Sequence, residues 1–149
     1  MAIIKDPELI RGLYDYSKDL RAIIKEARRD GKIKKKDYPK VAAVCEYGPK
    51  CYGHSKNCHK SIIEEINYVP QLLKRLTKFG NPPTKINTQG KPLYVGTCAE
   101  DYAANKLLME LSDRGRIIPK LNKLHFANPI RPRTNERVKM CKVCKSLFD

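Results

Sequence analysis

Three cysteines and one glutamate in this sequence have the spacing of a metal site with an acid/base group beside it. One residue separates Cys98 from Glu100, and two residues separate Cys141 from Cys144. Two cysteines at the latter spacing can both face one metal ion, and Cys98 supplies a third thiolate ligand. Because three protein ligands leave the fourth zinc position open, the pattern predicts a catalytic site. Glu100 is near enough to take a proton from a water on the metal and pass it to a substrate.

Two alternative interpretations of these four residues stay open. The cysteines can form a structural zinc site, in which a further protein side chain fills the fourth position. They can also be buried thiols that bind no metal, with Glu100 as an acidic residue that stabilises the positive end of a helix. A fourth protein ligand would favour the structural interpretation.

A second group of metal-binding side chain types is concentrated between residues 45 and 59. Cys45, Cys51, His54 and Cys58 offer four N and S ligands, the number that a closed tetrahedral zinc needs. They predict a second, structural zinc; a disulfide in a secreted protein or unconnected thiols are the alternatives. The remaining histidine, His125, is expected to be a packed or hydrogen-bonded residue rather than a ligand.

Hydrophobic periodicity predicts the helices and strands that must position these side chains. Apolar residues at three- and four-residue steps indicate a helix from Asp6 to Arg29, which Asp6 caps and Gly31 ends. Another helix is expected over 61–79, kinked or restarted at Pro70. Two further helices are expected to open at CAE (98–100) and at CKVC (141–144). The other predicted segments are strands over 41–45, 92–96 and 121–129, a loop from the first strand to His59, and a turn-rich loop from Gly80.

The CAE motif followed downstream by CKVC resembles the cytidine deaminase-like superfamily of zinc deaminases. The resemblance implies zinc on Cys98, Cys141 and Cys144, with Glu100 as the proton-shuttling acid/base. In this family hydroxide attacks C4 of cytosine or C6 of adenine, and ammonia leaves. Met140 stands where the family usually has proline, and a long helical stretch precedes CAE where the family generally has a hairpin.

Element order and resemblance together predict one α/β domain. We expect a cytidine deaminase-like, three-layer-type sandwich, with a central sheet flanked by helices and an N-terminal helical extension. The single domain would span 1–149. It divides into an N-terminal helix and basic connector (1–40), a Cys/His loop with a helical insertion (41–91), and the zinc and catalytic core (92–149).

A strong positive charge indicates a polyanionic partner. Thirty-one Lys and Arg against 16 acidic residues give a formal net charge of +15, which favours nucleic acid through steering and counterion release. A deaminase needs a single strand or a flipped base, on which Tyr102 or Phe126 could stack. The predicted nucleic-acid contacts are Asn128, Arg131, Arg133, Arg137 and Lys139, and Lys142 and Lys145 extend this cationic rim beside the proposed ligands.

The basic character and the loop before CKVC look most like the deaminase domains of bacterial polymorphic toxins. That resemblance implies a toxin domain, cytosine as the favoured base, and an acidic immunity protein as a partner. A deaminase of free nucleosides or nucleotides is one alternative function. A non-catalytic, zinc-stabilised module that binds nucleic acid or the ribosome is the other.

The cysteine spacing fits metal binding in a reducing compartment better than a disulfide scaffold. No apolar run approaches the roughly 20 residues that a membrane span needs. The N-terminus shows no basic segment followed by an apolar core, so no secretory signal peptide is expected. The predicted site of action is the cytoplasm, reached by export into a target cell if the chain is a toxin.

Overall fold

The computed structural model describes residues 2–3, 6–32, 38–55, 67–82, 85–88 and 91–149. Its first helix, α1, spans Pro7–Arg29. The helix begins where the sequence predicted, because the Asp6 side chain accepts a hydrogen bond of 3.0 Å from the backbone N–H of Glu8. It ends at Asp30, before Gly31 at a φ of 68°. No helix in the described part of the chain is long and apolar enough to cross a membrane.

The described part of the chain contains six strands: β1 (Ala2–Ile3), β2 (Ala42–Glu46), β3 (Lys50–His54), β4 (Lys85–Thr88), β5 (Lys91–Tyr94) and β6 (His125–Phe126). They form two sheets. The main sheet has the order β1-β6-β2-β3, in which β2 is antiparallel to both neighbours and β1 is parallel to β6. The remaining two strands pair with each other in an antiparallel hairpin.

The structure corrects two predictions of loops. The segment after β2 was expected to be a loop to His59, but its first part turns back as β3 and forms an antiparallel hairpin with β2. The segment from Gly80 was also expected to be a loop, yet it contains β4. The predicted strand at 92–96 corresponds to β5, which pairs with β4 and not with the main sheet. In both segments the pairing partner, rather than local β propensity, determines the strand.

Among the residues described after α1, three further α-helices are present: α2 (Pro70–Leu76), α3 (Ala99–Asp113) and α4 (Lys142–Phe148). Pro70 is the first residue of α2, which confirms a helix start there. The preceding residues 61–66 lie outside the described part of the chain. The predicted strand over 121–129 consists of a 3-10 turn, Leu121–Lys123, followed by the two residues of β6.

Helices cover both faces of the main sheet. On one face α1 buries Leu9 and Leu13 against Ala42 and Val44 of β2. On the other face Cys45, the next residue of β2, belongs to a larger core with α2, α3 and α4. Strand side chains alternate between faces, so one strand contributes to both cores. The α/β prediction is confirmed, but α1 is a covering layer of the sheet and not an extension.

Candidate metal centre

The chain topology brings the first residues of α3 and α4 to the same end of the main sheet. Ala42, where β2 begins, pairs with His54 on one side and with Ile130 on the other. The start of α3 packs against β3 there, since a Cβ on Gly53 would lie 2.8 Å from the carbonyl oxygen of Ala99. Because β6 is antiparallel to β2, the chain leaves β6 toward this end and continues through Ile130 to α4. Two helix N-termini therefore meet.

The three predicted cysteines lie together at this junction. Cys98 occupies the N-cap position of α3 and Cys141 that of α4, and Cys144 lies in the first turn of α4. All three sulfurs lie within 4.8 Å of one another, and the Sγ atoms of Cys98 and Cys141 are 3.5 Å apart. Zinc bonds sulfur at about 2.3 Å, so a tetrahedral site separates two sulfurs by about 3.8 Å. The cluster can therefore hold a metal ion, and its dimensions suit zinc.

The protein stabilises one negative charge within this cluster. Hydrogen bonds from the thiols of Cys144 and Cys98 lower the pKa of the Cys141 thiol to about 3, against the effect of burial. The backbone N–H of Cys144 also donates to the Cys141 Sγ at 3.4 Å, in the way that a helix N-terminus stabilises thiolates. Hydrogen bonds to Cys141 and to Cys98 raise the pKa of Cys144, and the bond to Cys141 raises that of Cys98. A cation that binds here would displace the remaining thiol protons.

Glu100 contacts the cluster from the first turn of α3. Its carboxylate Oε2 lies 3.6 Å from the Sγ of Cys144, and the residue is 4% exposed. Burial raises the pKa of Glu100 to about 7, with a further contribution from the charge on Cys141. A carboxyl with a pKa near neutrality suits proton transfer, because it both releases and accepts a proton at working pH. A bound divalent cation would lower this pKa.

A second buried carboxylate, Asp101, was not predicted from the sequence. Its Oδ1 atom lies 3.7 Å from the Sγ of Cys144, and the carboxylate also accepts a hydrogen bond from the backbone N–H of Cys98. Its Oδ2 atom is buried without a hydrogen-bond partner among the described residues. Burial raises the pKa of Asp101, and the neighbouring Glu100 raises it further. A carboxylate at the third helical position that bonds the N–H of the N-cap residue is one half of a capping box; the Cys98 side chain makes no cap hydrogen bond. The signal in the sequence was therefore an acidic residue three positions after the N-cap.

The predicted second zinc site is not assembled among the described residues. Cys51 donates a hydrogen bond from Sγ to Glu110 of α3 at 3.3 Å, whereas His54 Nδ1 lies 2.7 Å from the hydroxyl of Tyr16 on α1. Three positions apart on a strand, Cys51 and His54 point to opposite faces of the sheet. Cys45 lies beside Cys51 in the hairpin, without a disulfide. Cys58, the fourth predicted ligand, lies outside the described residues.

Aromatic side chains line the sheet end next to Cys98. The backbone N–H of Tyr102 donates to the carbonyl oxygen of Cys98. The ring centroid of Tyr102 lies 5.5 Å from that of His54. Lys106 holds its Nζ atom 4.3 Å from the centre of the Tyr102 ring. Tyr102 is half-buried, so its position permits the predicted contact with a base. Phe126 is fully buried against Phe148, and the prediction that it stacks on a base is wrong.

The predicted nucleic-acid contacts lie on and beside the loop that connects Ile130 to α4. Asn135 fixes this loop to α1, since its Oδ1 accepts hydrogen bonds from Ser17 at 3.1 Å and Arg21 at 3.0 Å. The four basic side chains are exposed and Asn128 is half-buried; their contact with nucleic acid stays a prediction. The four are Arg131, Arg133, Arg137 and Lys139.

His125 lies on β6, where its main chain pairs with Glu46 and Ala2. It belongs to no metal-binding group in the described part of the chain.

Comparisons with protein-family models, with curated proteins and with solved structures found no match to this chain.

Proposed function

We propose that this protein is a zinc-dependent hydrolytic deaminase that acts on a base in nucleic acid. One observation carries the proposal: three converging thiols stand beside a buried carboxylate, Glu100, two positions after a ligand. Two helix N-termini would supply the ligands. Along the chain, the order strand, CAE helix, strand, CxxC helix is that of the resembled family, with β5 in the separate hairpin and β6 in the main sheet. The hairpin of β2 and β3, which the sequence did not predict, is a further feature that the family generally has.

The residues divide the chemistry between them. A zinc ion held by Cys98, Cys141 and Cys144 would supply hydroxide near neutral pH by lowering the pKa of a bound water. Glu100 would transfer the two protons of the attacking water in turn, one to a ring nitrogen of the base and one to the departing amino group. For cytosine, the C4–N4 bond breaks, an oxygen from water replaces the amine, and ammonia leaves. Cytosine is proposed over adenine on the resemblance alone.

The charge of +15 supports nucleic acid over a free nucleoside as the substrate. A free nucleoside carries no phosphate and needs no such charge excess. The proposal extends to a toxin that acts on nucleic acid in the cytoplasm of a target cell, countered by an acidic immunity protein. These last points rest on the resemblance to polymorphic toxin deaminases.

A structural zinc site in a nucleic-acid-binding module is the second candidate function. It is favoured by Asp101, whose buried Oδ2 has no hydrogen-bond partner among the described residues and whose Oδ1 lies 3.7 Å from Cys144 Sγ. If Asp101 became the fourth ligand, the metal would have no open position and Glu100 no catalytic role.

The first experiment incubates zinc-loaded protein with single-stranded DNA and with single-stranded RNA, followed by sequencing of the products. Glu100→Gln removes the acid/base while keeping the shape of the side chain. Glu110→Gln, on the same helix, is the matched control. Zinc content is measured for all three proteins, so that lost activity is not confused with a lost metal.

Conversion of one base by the wild type and Glu110→Gln, abolished in Glu100→Gln with zinc retained, would support the proposal and identify the base. Zinc binding without conversion of either nucleic acid or of free nucleosides would contradict it. Cobalt substitution then distinguishes the second candidate, because an absorption spectrum altered in Asp101→Asn would identify a carboxylate ligand.

A further inference from the structure

A cationic cleft lies between α2 and the 3-10 turn, at the far end of α4 from the metal centre. It encloses about 350 Å³. Its lining includes four basic side chains, Lys74, Arg75, Lys78 and Lys120. Asp149 is the single acidic residue among its described lining residues, so the cleft keeps a net positive charge.

Two of the lining side chains are fixed by the fold. Arg75 donates from one guanidinium nitrogen to the carbonyl oxygens of Ser146 at 3.0 Å and Leu147 at 3.3 Å, at the last turn of α4. Gln71 donates from Nε2 to the carbonyl oxygen of Pro119 at 2.8 Å. These contacts join α2 to the segments on either side of the cleft. These hydrogen bonds hold the walls of the cleft in place, and the lysines that line it are exposed.

A line of exposed lysines connects this cleft to the metal centre. Lys142 and Lys145 lie on the exposed side of α4, three positions apart and hence on one helix face. Cys141 lies before the first of them, and Leu147, which Arg75 contacts, follows the second. From Cys141 to Leu147 the helix rises about 9 Å, at about 1.5 Å per residue. This length corresponds to a few nucleotides of a single strand, in which charges recur about every 3.4 Å when the bases stack.

We infer that α4 and the cleft form a phosphate-binding track for the single strand whose base enters the metal centre. The inference rests on the proposed function, because it assigns the path of that function's substrate. Charge complementarity selects the occupant: lysine ammonium groups neutralise phosphates without reading base sequence. The amide side chains of Gln71 and Asn122 add neutral hydrogen-bonding groups at the cleft. The track differs from the predicted contacts on the 131–139 loop, which is fixed to α1 on the other sheet face.

The test is the salt dependence of binding to a fluorescently labelled single-stranded DNA, measured by anisotropy on the zinc-loaded full chain. The track variant carries Lys74→Gln, Lys78→Gln and Lys120→Gln. The control variant carries Lys18→Gln, Lys25→Gln and Lys32→Gln, three exposed lysines on or just after α1 with the same change in net charge. For single strands each phosphate contact contributes about 0.7 to the slope of log K against log salt, so three contacts contribute about 2.

We expect the slope to fall by about 2 in the track variant and to stay near the wild-type value in the control. Equal effects in the two variants would overturn the inference, because charge alone would then account for binding. A track variant that binds as the wild type does would overturn the inference and leave the proposed deaminase intact. A wild type that binds no nucleic acid would overturn both the track and a nucleic-acid substrate.

Discussion

The carboxylate of Asp101 accepts a hydrogen bond from the backbone N–H of Cys98, three positions earlier on α3. The contact closes the first turn of the helix and fixes the main chain of Cys98, one of the three clustered cysteines. Asp101 also reaches the Sγ of Cys144 at 3.7 Å, so one buried carboxylate touches cysteines of the cluster on both helices. Asp101 is therefore a positioning residue of the centre.

Asp101→Ala should weaken metal binding about 10- to 100-fold, the usual effect of removing a group that orients a metal ligand. Loss of the cap should also lower the free energy of unfolding of the apo protein by about 1 kcal/mol. Chelator competition measures the first effect and urea denaturation the second. Asp113→Ala, at the exposed far end of α3, is the control. Unchanged zinc affinity in Asp101→Ala would show that Cys98 is positioned without it.

Serine in place of any one of Cys98, Cys141 and Cys144 should abolish tight zinc binding, because two thiolates do not make a stable protein site. Cys51→Ser should leave the zinc content unchanged, since Cys51 contacts Glu110 and not the cluster. Metal analysis after dialysis should give one zinc per wild-type chain. A content of two, reduced to one in Cys51→Ser, would revive the second zinc site.

Gly53 permits the close approach of β3 to α3. A Cβ at this position would lie 2.5 Å from the backbone nitrogen of Ala103, so Gly53→Ala must push the helix away from the sheet. We expect a loss of about 1–3 kcal/mol in the free energy of unfolding, together with weaker zinc binding through displacement of Cys98. Gly31→Ala is the control, because Gly31 has open space around it and strains its own backbone alone. Equal zinc affinities in the two variants would contradict this coupling.

The protein should lose stability at alkaline pH partly through Cys51. Burial, followed by its hydrogen bond to Glu110, raises the pKa of this thiol to about 11 from an ordinary value of 9.0. A raised pKa in the folded state contributes stability that is complete below the unfolded pKa and is lost as pH rises through the folded pKa. Urea denaturation between about pH 8 and pH 11 should therefore show a smaller alkaline decline in Cys51→Ser than in the wild type. Parallel pH profiles for the two proteins would argue against this contribution.

Parts of the fold that depend on local signals were predictable from the sequence. Asp6 and the apolar steps of α1 define that helix, since its cap and its buried face both lie within one segment. β3 was missed because Lys50 and Gly53 are residue types that strands disfavour. The strand is stabilised by its pairing with β2 and by its packing against α3.

At the metal centre, too, residues marked by local motifs were predictable and residues placed by tertiary contacts were not. Cys98, Cys141 and Cys144 were predictable, because each cysteine belongs to a motif at the start of a helix. Spacing along the chain places Cys51 and His54 in one set of ligands, whereas the alternation of strand faces separates them. The second zinc site stays a prediction, because Cys58 lies outside the described residues. Asp101 belongs to no motif that marks a metal ligand, and its importance lies in a main-chain contact with Cys98.

A metal bound by the three cysteines would also change the stability of the fold. Cys98 and Cys141 are 43 positions apart, so a metal held by both would close a ring that contains α3, the 3-10 turn and β6. Such a cross-link lowers the conformational entropy of the unfolded chain. By the loop-closure relation used for disulfides, this stabilises the folded state by about 4 kcal/mol. The ion would thus stabilise the folded arrangement of nearly a third of the chain. Extraction of the metal would then loosen the C-terminal half of the fold as well as remove the reactive centre.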